Sequence, residues 1–315
     1  MIRIGSRGSA LALWQSNHVR DRLLEAHPGL EIEIDVIKTT GDRILDVPLA
    51  KIGDKGLFTK ELDIALLENR IDLAVHSLKD VPTRLEPGLT IAAVGKREDP
   101  SDALIVAPGR PGKLRDLPAG ARVGTSSLRR RAQLLALRED LDVQDLRGNV
   151  DTRLAQVAAG KYDAIILARA GIKRLGFDDR ASELLGGEYW LPAVGQGALG
   201  IICRESDART REVLAVLHDD ASYRATTAER AFLRELEGGC QVPIAALGVA
   251  NARSVMLRGL VASIDGTQVL RGTSENDDPR QAGLDLARQL LQRGAAEILE
   301  EVRSMMQQSP PPAAP

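Results

Sequence analysis

The chain has 315 residues, a formal net charge of −2 and 43% apolar residues, which is enough apolar content to fill sizeable cores and excludes global disorder. That length exceeds one ordinary domain and suits two or three. The near-neutral charge excludes a whole-chain polyanion binder, and 3% aromatic residues leave few platforms on which bases could stack. Two cysteines, Cys203 and Cys240, exclude a disulfide framework. No stretch approaches the ~20 apolar residues of a membrane span. The opening MIRIGSRGSALALWQ is too interrupted for a signal peptide, and no Asn-x-Ser/Thr sequon occurs. The expectation is a cytoplasmic protein with no membrane or nucleic-acid partner.

The first hundred residues alternate strand and helix, which predicts an α/β fold. Ile2–Gly5 reads as a short strand, and Ser9 as the cap of a helix from Ala10 to about Ala26, ended by Pro28-Gly29. Glu31–Ile37 alternates like a strand, and Lys38–Gly56 is loop-like. Thr59–Asn69 reads as a helix and Ile71–Ser77 as a strand. His76-Ser77-Leu78-Lys79-Asp80-Val81-Pro82 closes that strand. In a cleft, Asp80 can handle protons or stabilise a cation and Lys79 can bind a carboxylate. A surface ion pair ahead of a turn proline fits the same spacing.

The order then recurs. Arg122-Val123-Gly124-Thr125 resembles Arg3-Ile4-Gly5-Ser6, and Lys161-Tyr162-Asp163-Ala164-Ile165-Ile166 resembles Arg70-Ile71-Asp72-Leu73-Ala74-Val75. Two similar lobes would leave a cleft between them, a common place for a ligand. Ser6-Arg7-Gly8-Ser9 and Thr125-Ser126-Ser127 both precede helix starts, where free N–H groups and the helix dipole favour anions. Arg129-Arg130-Arg131 in a first turn opposes that dipole and needs another reason; Arg138, later on the same helix, reads as a surface residue. Arg147-Gly148-Asn149-Val150-Asp151-Thr152-Arg153 follows an expected strand at Asp142–Leu146, again at a strand-to-helix junction. The segment Gly120–Arg180 holds 12 basic and 8 acidic residues, a local excess that suits a small anionic ligand better than a polymer. Arg outnumbers Lys 33 to 9, which codon usage explains as well as bidentate anion binding does.

Gly195-Gln196-Gly197-Ala198-Leu199-Gly200 matches G-x-G-x-x-G, yet Pro192 precedes it and the β-branched Ile201-Ile202 follow. A strand therefore comes next, not the helix a dinucleotide site needs, and the glycines read as a hinge. Beyond Ser222 the pattern changes to a helix at Ala221–Glu237, strands at Ile244–Ala250, Val255–Ala262 and Gln268–Gly272, a helix from Pro279 to about Arg293 and another from about Ala295. This predicts a small α+β domain, with residues 305–315, ending SPPPAAP, as a disordered tail. Gly238-Gly239-Cys240-Gln241-Val242-Pro243 puts Cys240 on a loop, whereas Cys203 reads as a core strand residue. His18, His27, His76 and His218 show no zinc spacing, so no metal is expected.

Taken together, RIGSRGSALALWQ, KIGDKGLFTKEL, AVHSLKDVP, VGTSSLRRR, LRGNVDTRL, YDAIILA, LPAVGQGALGI and LEGGCQVPI resemble the porphobilinogen deaminase (hydroxymethylbilane synthase) family over Arg3 to Ile244. The resemblance implies three domains. Two are type-2 periplasmic-binding-protein-like lobes flanking a cleft, residues 1–97 with 198–217 and residues 98–197; the third spans 220–304. It implies a transferase that joins four porphobilinogen molecules head to tail on a dipyrromethane cofactor, one per chain, attached through Cys240. Ammonia leaves at each addition, and water frees hydroxymethylbilane, which passes to uroporphyrinogen-III synthase for tetrapyrrole (heme, chlorophyll or cobalamin) biosynthesis. A monomer is implied. By the family pattern Asp80 is the catalytic carboxylate. Lys79, Thr125, Ser127, Arg129 and Arg130 bind the cofactor with Asp80, and Arg7, Ser9, Arg147, Arg153 and Arg174 bind substrate carboxylates. Lys51, Lys55 and Phe58 lie on a loop over the cleft. Arg169 stands where relatives often have a small or apolar residue and is left out of the site.

Two rival classes make different demands. A non-catalytic anion-binding module needs neither Asp80 nor Cys240 and calls for an export signal. A cysteine-nucleophile hydrolase needs a histidine beside Cys240, and the sequence nominates none.

Overall fold

A computed structural model describes residues 1–43, 56–236 and 242–308. Its framework is three sheets. The first has the order β2-β1-β3-β10-β4, built from β1 (Ile2–Ser6), β2 (Ile32–Val36), β3 (Leu73–Ser77), β4 (Leu89–Val94) and β10 (Leu199–Arg204). The second has the order β7-β6-β8-β5-β9, built from β5 (Asp102–Val106), β6 (Arg122–Gly124), β7 (Asp142–Gln144), β8 (Ala164–Ala168) and β9 (Glu183–Leu185). In the first, β1 pairs parallel with β2 and β3 and β10 runs antiparallel to β3. In the second, β6 pairs parallel with β7 and β8 and β5 runs antiparallel to β8. The sequence repeat thus falls on equivalent strands, β1 with β6 and β3 with β8.

Central strands buried on both faces read as unbroken apolar runs, as in Ala164-Ile165-Ile166-Leu167 of β8. Around the sheets lie α1 (Ala10–Ala26), α2 (Lys60–Leu67), α3 (Leu128–Leu137), α4 (Val150–Ala158), α5 (Arg169–Arg174) and α6 (Ala208–Leu214). The chain crosses between the lobes twice, after β4 and again before β10. The second crossing places Gly195 (φ 72°) and Gly197 (φ 91°) in left-handed backbone. A strand follows those glycines, as their flanks require.

The third unit is an antiparallel sheet of β11 (Ile244–Ala250), β12 (Val255–Ala262) and β13 (Val269–Asn276), with α7 (Asp220–Glu235), α8 (Pro279–Leu291) and α9 (Ala295–Gln308). Phe232 of α7 and Leu286 and Leu290 of α8 are fully buried in one core with Leu257 and Val261 of β12.

Several expected bounds shift: β13, expected to end at Gly272, runs to Asn276, and two further shifts have a visible cause. The strand expected to reach Leu146 ends at Gln144, because both the N–H and the C=O of Leu146 bond to Ser126 Oγ (3.0 and 2.8 Å) and leave the ladder. The stretch 305–308, expected as tail, continues α9, whose buried Ile298, Leu299 and Val302 anchor the helix against the core. Residues 309–315 lie outside the described residues.

Candidate active site

The second lobe supplies a helix start with two ordered hydroxyls. Ser127 caps α3, its Oγ accepting from Arg130 N at 3.4 Å, and Thr125 Oγ1 accepts from Ser127 N at 3.2 Å. Each hydroxyl accepts these bonds with a lone pair and keeps its proton to donate. Thr125, Ser127, Arg131 and Ile264 line a cavity of about 200 Å³ here.

The arginines of α3 run inward. Arg129 Nη1 donates to Asp102 Oδ2 at 2.7 Å and to the Leu191 carbonyl at 2.9 Å. Arg130 Nη2 donates to Asp102 Oδ1 at 2.7 Å, and its Nη1 to the Ile166 carbonyl at 2.8 Å. Trp190 Nε1 and Gln196 Nε2 complete the shell of Asp102 at 2.8 and 2.9 Å. Burial pushes the Asp102 carboxyl up, but Arg129 and Arg130 outweigh it and hold the group below the ordinary carboxylate range. Two guanidiniums sharing one carboxylate leave one net positive charge. Asp102 is therefore the reason for arginines in a first turn, and sequence reasoning missed it; the available signal was an acidic residue opening the apolar strand Asp102–Val106. Arg131 turns the other way, to the Val143 carbonyl (2.9 Å).

The first lobe contributes the turn Leu78–Asp80 at the end of β3. Leu78 N donates to the Ala198 carbonyl of the second crossing at 3.0 Å. The Lys79 ammonium is lowered to about 8, first by burial and then by Arg130 and Arg129, with Asp80 and Asp102 opposing. Arg153 is lowered to about 10 by burial, Arg130 and Arg147, with Asp80 opposing. Lys79 and Asp80 of one lobe thus stand within electrostatic reach of Arg129, Arg130 and Arg153 of the other, and Arg147 joins them through Arg153.

Other expected residues occupy the flanks. Arg7 lies 4.1 Å over the Phe58 ring. Ser9 Oγ caps α1 by accepting from Ala12 N at 3.3 Å. Behind them His76 is buried and held neutral, lowered to about 4 by burial and then by Arg7. Arg174 donates to the Gly197 carbonyl at 2.7 Å and stands 5.8 Å from the Trp14 ring, which fixes it at the second crossing. Lys51, Lys55 and Cys240 lie outside the described residues. Arg169 pairs with Asp99 (2.5 Å) and Asp178 (3.2 Å). Arg138 is not a free surface residue: it donates to the Leu114, Arg115 and Leu117 carbonyls and to Asp140, and so ties the end of α3 to a neighbouring turn.

Residues 2–212 match the family model described as "Porphobilinogen deaminase, dipyromethane cofactor binding domain", and residues 223–292 match "Porphobilinogen deaminase, C-terminal domain". The chain is 52% identical over 303 residues to the porphobilinogen deaminase of Maridesulfovibrio salexigens, covering 96% of this chain and 98% of that one. It is 53% identical over 305 residues to that of Moorella thermoacetica, covering 96% and 97%. Among solved structures, a nutrient-binding protein from Burkholderia cenocepacia bound to methionine shows 13% identity and a TM-score of 0.42, covering 75% of this chain and 95% of that one. The chain belongs to the porphobilinogen deaminase family.

Proposed function

We propose that this member of the porphobilinogen deaminase family joins four porphobilinogen molecules head to tail, releases ammonia at each addition, and frees hydroxymethylbilane with water. The observation that carries this is that Lys79 and Asp80 of one lobe lie within electrostatic reach of Arg129, Arg130 and Arg153 of the other. A carboxylate set among several cationic side chains suits a reaction in which polyanionic pyrroles pass through a cationic stage.

The donor set fits a dipyrromethane bearing acetate and propionate groups. Lys79, Arg129, Arg130 and the hydroxyls of Thr125 and Ser127 would hold its carboxylates, with Cys240 as the point of attachment. When bound, that group supplies the pyrrole carbon to which the first substrate unit is joined. Arg7, Ser9, Arg147, Arg153 and Arg174 orient incoming carboxylates. Asp80 stabilises the cation that develops on porphobilinogen as ammonia departs, and takes the proton released when the new carbon–carbon bond forms. Lys51, Lys55 and Phe58 contribute to holding the growing chain. The working units are residues 1–97 with 198–217, 98–197 and 220–304, in a cytoplasmic monomer whose product passes to uroporphyrinogen-III synthase.

Intact mass and single-turnover ammonia release test this together. Wild type carries a covalent dipyrromethane, Cys240→Ser does not, and Cys203→Ser does. Asp80→Asn keeps the addition but releases ammonia roughly a hundred- to a thousand-fold more slowly. Asp80→Glu retains more activity than Asp80→Asn. Equal loading of Cys240→Ser, or wild-type release by Asp80→Asn, overturns the corresponding assignment.

A further inference from the structure

The turn that carries Asp80 is held from two sides. On its N-terminal side the first lobe and the second crossing hold it, through Leu78 N and the Ala198 carbonyl. On its C-terminal side the bonds come from the third unit. Arg230 of α7 donates through Nη1 to the Val81 carbonyl at 3.0 Å and through Nη2 to the Pro82 carbonyl at 2.6 Å. These are the carbonyls one and two residues beyond Asp80, and Pro82 has no N–H with which to fix itself.

The base from which Arg230 reaches is itself fixed. Its neighbour Glu229 is fully buried and accepts from Arg97 Nη1 (2.5 Å), Gly195 N (2.7 Å) and Gly248 N (2.8 Å). One turn of α7 therefore grips both interlobe crossings through Glu229 and the Asp80 turn through Arg230. A planar guanidinium donating two parallel bonds to successive carbonyls sets orientation as well as distance.

We propose that Arg230 is a positioning residue that sets the Asp80 carboxylate against the substrate from the third unit, so that α7 and the Asp80 turn move as one piece. This rests on the assignment of Asp80 as the catalytic carboxylate. Loss of Arg230 leaves the arginines and hydroxyls of the second lobe in place and keeps the Lys79 charge, so most of the substrate binding should survive while the chemical step slows.

The test is a double-mutant cycle on cofactor-loaded protein with Arg230→Gln and Asp80→Asn, reading KM and kcat separately. Arg230→Gln should load normally, keep its KM and lose roughly ten-fold in kcat, and Arg230→Lys should recover part of that loss. The double variant should be no slower than Asp80→Asn alone, because Arg230 acts only through Asp80. Wild-type kcat in Arg230→Gln, a raised KM with unchanged kcat, or losses that multiply in the double variant would each overturn the proposal. Wild-type kcat in Asp80→Asn would overturn the Asp80 assignment and the proposal with it, whereas an impaired Asp80→Asn beside an unimpaired Arg230→Gln overturns the proposal alone. If Arg230→Gln does not fold, Arg230→Lys runs the same cycle with the charge retained.

Discussion

Arg129 reaches Asp102 across 27 positions of sequence with its Nη1 2.7 Å from Oδ2, and both side chains are buried. The pair joins the first turn of α3 to the first residue of β5, immediately after the chain crosses from one lobe to the other. Arg130 shares the same carboxylate, so the guanidiniums are set before any ligand arrives. Ordering two long side chains in advance lowers what an anion must overcome on binding.

Asp102→Asn leaves two buried guanidiniums without a counter-charge and should destabilise the protein by about 3–5 kcal/mol in urea denaturation. Arg115→Leu, on an exposed side chain, should stay within about 0.5 kcal/mol of wild type. Arg138→Leu would not be neutral, since it strips hydrogen bonds from three carbonyls. A loss below about 1 kcal/mol in Asp102→Asn would mean that the arginines do not depend on Asp102.

What the sequence disclosed and what it hid divide along the range of the contacts. The two hydroxyl-rich helix starts were legible because Ser9 and Ser127 cap within three residues of themselves. The repeat was legible because β1 and β6 take the same place in their sheets and need the same strand-to-helix turn. Asp102 was hidden because its partners arrive from residues 129, 130, 190 and 196, and nothing local distinguishes it from an exposed strand end. Arg138 misled for the same reason: its acceptors at 114, 115 and 117 precede it by twenty residues or more.

Asp63 offers a stability test away from the cleft. It is buried on α2, its Oδ1 has no hydrogen-bond partner, and its carboxyl is raised to about 6, first by burial, with Thr59 opposing and Glu86 adding. The raised group lets the folded state keep a proton that the unfolded chain releases near pH 4. Its contribution is thus fully present below that pH and lost as pH rises through about 6. Asp63→Asn should be more stable than wild type at pH 8 by about 1–3 kcal/mol and nearly equal to it at pH 4. Equal melting temperatures at both pH values would show that the carboxyl is not penalised.

Gly266 reports on how the third unit docks. It sits between β12 and β13 with φ 74°, and a Cβ there would fall 2.6 Å from the Ala132 carbonyl oxygen of α3. Gly266→Ala should cost about 1–3 kcal/mol from backbone strain and forced separation. Limited proteolysis should cut the variant in the β12–β13 hairpin, where the third unit lies against α3, faster than wild type. An unchanged digestion pattern would show that this hairpin does not hold the two together.

Lys79 gives the cleft a pH limit. Its ammonium falls to about 8, first through burial and then through Arg130 and Arg129, against Asp80 and Asp102. A depressed lysine means that the folded state releases a proton the unfolded chain still holds. The contribution to stability is therefore present above the ordinary lysine range and is lost as pH falls through about 8. Function runs the opposite way, because only the charged form can hold a carboxylate. Substrate carboxylates raise the group again on binding, so kcat/KM, which reports the free enzyme, is the quantity to follow. In cofactor-loaded wild type the cofactor's carboxylates already raise the group, so kcat/KM should decline above a breakpoint that lies above pH 8, steepening toward roughly ten-fold per pH unit if the charge is essential. Lys79→Arg keeps its charge across this range and should move the breakpoint upward by a unit or more, at roughly a few-fold cost in kcat/KM from the changed geometry. Lys79→Met should be low and flat from pH 7 to 9. If wild type and Lys79→Arg share one breakpoint, the ammonium is not the group that titrates, and carboxylate binding rests on the arginines of the second lobe.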